Sequence, residues 1–231
     1  MGAIVTEAIK IDVWSDIACP WCYIGKRNLE KGLAAAAGDE DAPQVEVTFH
    51  SYELSPDTPV DFEGTSEDFL AQHKGISREQ AREMNQRVSQ IAEQAGLHYR
   101  FDLVHHTNTV KAHELIHFAK EHGKQVEMTE RLMSAYFVEG GHVGRIDDLV
   151  GLASEVGLDG DAARAVLESD HYLPAVRQDQ AQARAYGING VPFFVIDGKY
   201  GVSGAQPPEA FAQVARQVWS ERRAAEAATE G

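Results

Sequence analysis

Cys19 and Cys22 are the only cysteines in this 231-residue chain, and they stand at i and i+3 in the run Asp16-Ile17-Ala18-Cys19-Pro20-Trp21-Cys22. In the first turn of a helix that spacing lets a pair close a small disulfide ring or stand open as a dithiol without unfolding the chain. A helix N-terminus carries unpaired N–H groups and the positive end of the macrodipole, both of which favour a thiolate. Cys19, at the start of the turn, is therefore the expected nucleophile. Cys22, one turn further in, is placed to attack a mixed disulfide at Cys19 and release the substrate. Pro20 falls where its missing N–H costs nothing and its fixed φ suits a helix start. A structural disulfide is the weaker reading, because a loop this short restrains the unfolded chain very little. Half of a zinc site would need two further ligands, and with no other cysteine only histidines could supply them.

A second chemical pattern is His113-Glu114-Leu115-Ile116-His117. It matches H-E-x-x-H, two histidines one helical turn apart with a glutamate placed as general base for a metal-bound water. Lys120 and Gly123 occupy the positions where the metzincin extension has its glycine and histidine, which leaves Glu139 as the downstream candidate ligand. The expectation is a helix face of partly buried histidines, with no metal.

The elements that would hold the cysteines follow from periodicity. Ile9 to Val13 alternates apolar and polar residues, a strand running straight into the motif. The helix opened by the motif is expected to run to about Ala37, with Leu29 and Leu33 on one face and Gly38 as its stop. Gln44 to His50 alternates again. After a loop with two prolines and four acids, from Ser51 to Gly64, the chain turns helical. Ser66 opens a short helix, and the capping pattern Ser77-Arg78-Glu79-Gln80 opens one whose apolar set is Met84, Val88, Ile91 and Ala95. Further helices are expected at about 109–122, 126–137, 146–156, 161–168 and 173–186. Strand character returns at Val191 to Ile196, followed by the hairpin signal Asp197-Gly198 and a partner strand over Lys199 to Ser203. A last helix follows Pro207-Pro208, with a tail from Glu221 expected to fray.

Composition narrows the function classes. A net charge of −15 and a pI near 5.0 argue against nucleic acid or an anionic membrane surface as partner, since phosphate binding draws on clustered Lys and Arg. Mean hydropathy is −0.34, and no run approaches a membrane span. Met1 to Lys10 lacks the basic start and apolar run of a signal peptide, so the expected location is the cytoplasm. In a reducing compartment a lone cysteine pair is more often catalytic than structural.

The order β-α-β, helical block, β-β-α resembles the thioredoxin fold interrupted by a helical insertion, as in the DsbA family. Ser15-Asp16-Ile17-Ala18-Cys19-Pro20-Trp21-Cys22, Gly190-Val191-Pro192-Phe193-Phe194-Val195 and Gly204-Ala205-Gln206-Pro207 are similar to its FrnE-type branch. The resemblance implies an α/β chain with residues 1–62 and 188–231 as a thioredoxin-like domain and 63–187 as an all-helical insertion. It also implies that Val191–Pro192 is cis and lies against the cysteines, with the Val191 backbone pairing to an extended substrate segment. The other reading of Pro192 is an edge-strand or turn proline. Pro20 and Trp21 would line the contact surface, and Asn108, within His105-His106-Thr107-Asn108-Thr109, would face the site from the insertion. Two departures bear on redox poise. Trp21 stands where strongly oxidising DsbA proteins have histidine, and Val13, six residues before Cys19, stands where thioredoxin-like proteins often carry a buried acid. Asp16 is open to two readings, a substitute for that acid or a solvated turn residue.

The function so implied is thiol–disulfide oxidoreduction on protein or small-molecule thiol and disulfide substrates. It needs no resident cofactor beyond the Cys19/Cys22 disulfide, and glutathione is a candidate co-substrate. Two other classes compete: a glutathione-dependent isomerase or transferase of the kappa and hydroxychromene-carboxylate isomerase type, which uses serine where Cys19 stands, and a peptide-binding chaperone module without turnover.

Overall fold

The computed structural model describes residues 8–37 and 44–229. Gly38, expected to stop the first helix, and most of Met1 to Lys10 lie outside the described residues.

The chain enters as strand β1 (Ile9–Ser15), crosses through helix α1 (Pro20–Ala36) and returns as β2 (Val45–Ser51), parallel to β1. Seven helices follow among the described residues: α2 (Ser66–Lys74), α3 (Arg78–Ala95), α4 (Val110–Glu121), α5 (Gln125–Ser134), α6 (Ile146–Glu155), α7 (Gly160–Glu168) and α8 (Leu173–Ala185). The chain then returns to the sheet as β3 (Phe193–Ile196) and β4 (Tyr200–Ser203) and ends in α9 (Pro208–Thr229). The strand order is β2-β1-β3-β4, with β3 antiparallel to both β1 and β4. This is the expected α/β architecture, a thioredoxin-like fold interrupted by helices.

Strand alternation decides which face each β1 residue covers. Ile9, Ile11 and Val13 are buried in the main core with Leu29, Phe194 and Phe211. On the opposite face Trp14 packs with Ala183 and Ile188, around the end of α8, and its indole N–H donates to the Asp179 carbonyl at 3.1 Å. The helix α1 packs along α9, and Gly32 makes the close approach possible: a Cβ there would lie 2.5 Å from the Pro208 carbonyl oxygen.

Local signals act where they were read. Ser77 caps α3 through a reciprocal pair with Gln80; the same arrangement at α2, Thr65 with Asp68, has no counterpart among the sequence expectations. Asp197 and Gly198 both take positive φ, 58° and 65°, which closes the β3–β4 hairpin.

Four expectations need correction. The strand read from Val191 starts at Phe193, because the Val191–Pro192 bond is cis and turns the chain before the sheet. The helix read to Phe137 leaves α geometry after Ser134 and widens into a π turn over Ala135–Glu139. The face of α3 turned inward is Ala81, Asn85, Ala92 and Ala95, while Met84 and Ile91 are more than a third exposed; small side chains let α3 sit close to its neighbours. The tail from Glu221 remains helical to Thr229, held by Tyr200 Oη donating to Glu221 at 2.5 Å and by an ion pair between Arg222 and Asp197.

Candidate active site

Cys19 is the N-cap of α1, with extended backbone (φ −92°, ψ 112°), and Pro20 is the first helical residue. The turn leading into it is held by Asp16, whose carbonyl accepts from the Cys19 N–H at 3.2 Å. Asp16 is only 2% exposed, so it is not a solvated turn residue. Its carboxylate accepts from the backbone N–H of Leu54 (2.8 Å) and Ala18 (3.3 Å) and from Thr109 Oγ1 (2.9 Å), and His113 Nε2 stands 3.4 Å away. One side chain thus ties the cysteine turn to the loop after β2 and to the start of α4.

The two cysteines are almost equally buried, at 3% and 2% exposed. What separates them is direction: Cys19 lines an open cleft of about 300 Å³, and Cys22 does not. The Cys22 thiol is pushed well above its ordinary value, first by burial and then by Cys19 itself. The Cys19 thiol donates to the Val191 carbonyl at 3.6 Å, across 172 positions of sequence. Gly25, one turn after Cys22, allows this approach, since a Cβ there would lie 2.9 Å from Pro192 Cγ. The carbonyl of Pro20 accepts from Tyr99 Oη at 2.7 Å, and the Tyr99 ring stacks on Phe137 at 4.7 Å. These contacts bring together Cys19, Cys22, Pro20, Trp21, Val191 and Pro192.

The cleft is walled by α2, α3 and the segment before α4. Trp21, 39% exposed, and Leu54 and Met84 stand at its mouth. Part of its lining is a polar cluster around His106. His106 stacks on Phe69 at 4.0 Å, has Tyr136 Oη 3.0 Å from Nδ1 and Ser66 Oγ 3.3 Å from Nε2, and Asn85 Nδ2 donates to Ser66 Oγ at 3.1 Å. Burial lowers the His106 pKa to about 4, so the ring is neutral near pH 7.

Asn108 is not among the residues lining this cleft. Its amide spans the loop instead: Nδ2 donates to the Pro56 carbonyl at 2.7 Å, and Oδ1 accepts at 2.9 Å from the N–H of Val110, the first residue of α4. Its neighbours His106, Thr107 and Thr109 reach the cleft.

The H-E-x-x-H residues are drawn apart. His113 faces Asp16, whereas His117 Nε2 lies 3.1 Å from Asp179 Oδ2 and 3.2 Å from Ser51 Oγ. Glu114 is fully buried and paired to Lys111 at 2.8 Å, and Glu139 binds Arg131. Among the described residues no group of three His, Cys, Asp or Glu side chains is arranged to hold a metal ion. Asp179 serves as a hub, also accepting from the Ser51 N–H (2.8 Å) and facing His50 Nδ1 (2.9 Å).

Sequence reasoning missed Gly25, Tyr99 and Asn85. A glycine in the second turn of a helix behind a cysteine pair is a usable signal for close approach; the other two have no local signature.

The probable DsbA oxidoreductase SCO1869 from Streptomyces coelicolor is a similar solved structure. It has a TM-score of 0.85 and 39% identity, over 92% of this chain and 91% of that one. The cytosolic disulfide reductase DsbM from Pseudomonas aeruginosa shares the fold at a TM-score of 0.62 and 20% identity, over 90% and 98% of the two chains. The uncharacterized protein YwbO of Bacillus subtilis (strain 168) is 32% identical over 207 residues, which cover 88% of this chain and 94% of YwbO. The family model described as DSBA-like thioredoxin domain matches residues 10–215, a span that holds the cysteine turn, the helices behind the cleft and the Val191–Pro192 strand. The chain therefore belongs to the DSBA-like thioredoxin domain family, in which the similar SCO1869 structure is described as a probable DsbA oxidoreductase.

Proposed function

We propose that this protein exchanges disulfides through Cys19 and Cys22. The Cys19 thiolate attacks one sulfur of a substrate disulfide, the other sulfur leaves as a thiolate, and a mixed disulfide forms at Cys19. Cys22 then attacks Cys19 Sγ, the second substrate sulfur leaves with the electron pair, and the Cys19–Cys22 disulfide remains. Run in reverse, the same steps oxidise a dithiol. Two electrons pass from the cysteine pair to the substrate disulfide by sulfur-to-sulfur attack alone, so no resident cofactor is required.

The observation that carries this reading is the asymmetry of the pair: Cys19 caps the helix, lines the cleft and lies 3.6 Å from the Val191 carbonyl, while Cys22 is turned away from the cleft. Cys19 stands at the free N–H end of α1, and Trp21 brings no cation to the pair. Protein or small-molecule disulfides are the substrates we assign, with an extended substrate segment running along the Val191 backbone. Glutathione is a candidate co-substrate, and DsbM has been solved with GSH. No described helix is long and apolar enough to cross a membrane, and we place the reaction in the cytoplasm.

The test is insulin reduction and exchange in glutathione buffers by wild type, Cys19→Ser and Cys22→Ser. Cys19→Ser is expected to be inactive, and Cys22→Ser to accumulate a mixed disulfide. Full activity in Cys19→Ser would refute the assignment. Glutathione-dependent isomerase turnover retained in Cys22→Ser would favour the isomerase branch instead.

A further inference from the structure

The cleft beside Cys19 is a different surface from the one along which an extended segment would run, since Val191 and Pro192 are not among its lining residues. Trp21, Leu70, Met84, Val88, Phe101 and Phe137 give it apolar sides around a volume of about 300 Å³, the small end of what ligand pockets enclose. Of its charged residues, Asp16 already has its carboxylate taken up by Leu54, Ala18 and Thr109, and His73 and Lys74 stand exposed in the last turn of α2. Asn85 is the exception on the inward face of α3, an amide among Ala81, Ala92 and Ala95. It is 7% exposed and lines the cleft; Nδ2 donates to Ser66 Oγ at 3.1 Å, and Oδ1 accepts from no described group. A buried acceptor left unpaired costs stability that an apolar residue at that place would not. Behind this pair, the fully buried Tyr136 has His106 Nδ1 as the described partner of its hydroxyl, at 3.0 Å. The hydroxyl therefore donates there, which assigns the ring proton to Nε2 and aims it at Ser66 Oγ, 3.3 Å away. With both lone pairs of Ser66 Oγ so filled, by Asn85 and by His106, its own proton is left to donate into the cleft.

We propose that one half of the substrate disulfide is a small thiol whose apolar chain or ring fills this cleft and whose far end, an alcohol or a primary amide, is held by Asn85 Oδ1 and the Ser66 hydroxyl. The inference rests on the disulfide-exchange reading above and names the substrate class for that same site. An alcohol or amide both donates to Oδ1 and accepts from Ser66. A carboxylate has no proton for Oδ1 and would exchange its hydration for a wall without a facing cation. The bond changes are those of exchange: the Cys19 thiolate bonds to one substrate sulfur as the S–S bond breaks, and the other half leaves as a thiolate with the electron pair. Cys22 then attacks Cys19 Sγ and displaces the half still bound. Asn85 meets only the far end of the substrate, so it decides which disulfide reacts and takes no part in the bonds that form and break.

The experiment is a quenched-flow reaction of the reduced, full-length protein with the symmetric disulfides of mercaptoethanol, mercaptohexanol and methoxypentanethiol. Each rate of protein-thiol loss is divided by the rate of the same disulfide with dithiothreitol, which removes differences in intrinsic reactivity. The mercaptohexanol disulfide is expected to exceed the mercaptoethanol one by about a hundredfold, since each buried methylene is worth about fourfold. The methoxypentanethiol disulfide matches it in length but has no proton for Asn85 Oδ1, and is expected to react about tenfold more slowly. Asn85→Leu is expected to erase that difference between hydroxyl and methoxy ends, whereas a merely structural role for Asn85 would slow both in proportion and preserve it. Equal normalised rates for short and long chains or for the two ends in wild type, or a preference that survives in Asn85→Leu, overturns the proposal while leaving disulfide exchange intact. A wild type that keeps both thiols against all of these probes and against glutathione disulfide removes the disulfide-exchange reading itself, and this inference with it.

Discussion

Gly25→Ala tests whether Pro192 is held at a set distance from Cys19. The added Cβ would meet Pro192 Cγ at 2.9 Å, Phe194 Cζ at 3.2 Å and Ala205 Cα at 3.6 Å. Carbon atoms rest at about 3.5–4.0 Å, so the Pro192 ring has to retreat by roughly 0.6 Å or more. Overpacking of this kind costs about 1–3 kcal/mol. Replacing glycine by alanine inside a helix returns about 1 kcal/mol. The net loss is therefore about 0–2 kcal/mol, which leaves the chain folded and confines the damage to the site. Moving Pro192 carries the Val191 carbonyl away from the Cys19 thiol, now at 3.6 Å. Misplacement on that scale slows a positioned reaction by about ten- to a hundredfold. Urea unfolding gives the stability change, and the first release of thionitrobenzoate from Ellman's disulfide gives the rate of attack by Cys19. A variant that gains about 1 kcal/mol and attacks at the wild-type rate would refute the reasoning, because the proline would then be free to yield.

Two further perturbations probe the scaffold. Burial lowers the His50 pKa, but hydrogen bonds to Asp12 and Asp179 outweigh it and raise the value from 6.5 to about 8. The folded state therefore binds the proton more tightly than the unfolded one, and this stability is fully present below pH 6.5 and lost as pH rises through about 8. The shift corresponds to roughly 2 kcal/mol. Denaturant titrations at pH 6 and pH 9 should show a decline in wild type that His50→Gln lacks; equal declines in both would exclude His50 as its source. Gly32→Ala would set a Cβ 2.5 Å from the Pro208 carbonyl oxygen and 2.7 Å from Phe211 Cβ. Since backbone cannot rotate away as a side chain can, α9 has to lift from α1, and the loss measured in urea should exceed the roughly 1 kcal/mol gained in helix propensity.

What the sequence determined by itself lies within a few residues of each signal. The capping pair Ser77/Gln80, the Asp197-Gly198 turn and the start of α1 at Cys19-Pro20 follow from backbone groups that neighbouring side chains satisfy or that proline and glycine constrain. The alternation of Ile9, Ile11 and Val13 determined which face of β1 enters the main core, because strand geometry sends successive side chains to opposite sides. Tertiary structure decided the rest. Asn108 is as polar and as near the site in sequence as Thr107 and Thr109, yet loop packing turned its amide to Pro56 and left the cleft to its neighbours. Asp16 could equally have faced water, and it was Leu54 and Thr109, brought in from other segments, that made it a buried anchor. The spacing of His113 and His117 puts them on one helix face, and separate carboxylates, Asp16 and Asp179, drew the two rings to different partners. The approach of Val191 to Cys19 joins residues 172 positions apart. No local pattern encodes such a contact, because it exists only when the sheet, α1 and the glycine at position 25 have packed together.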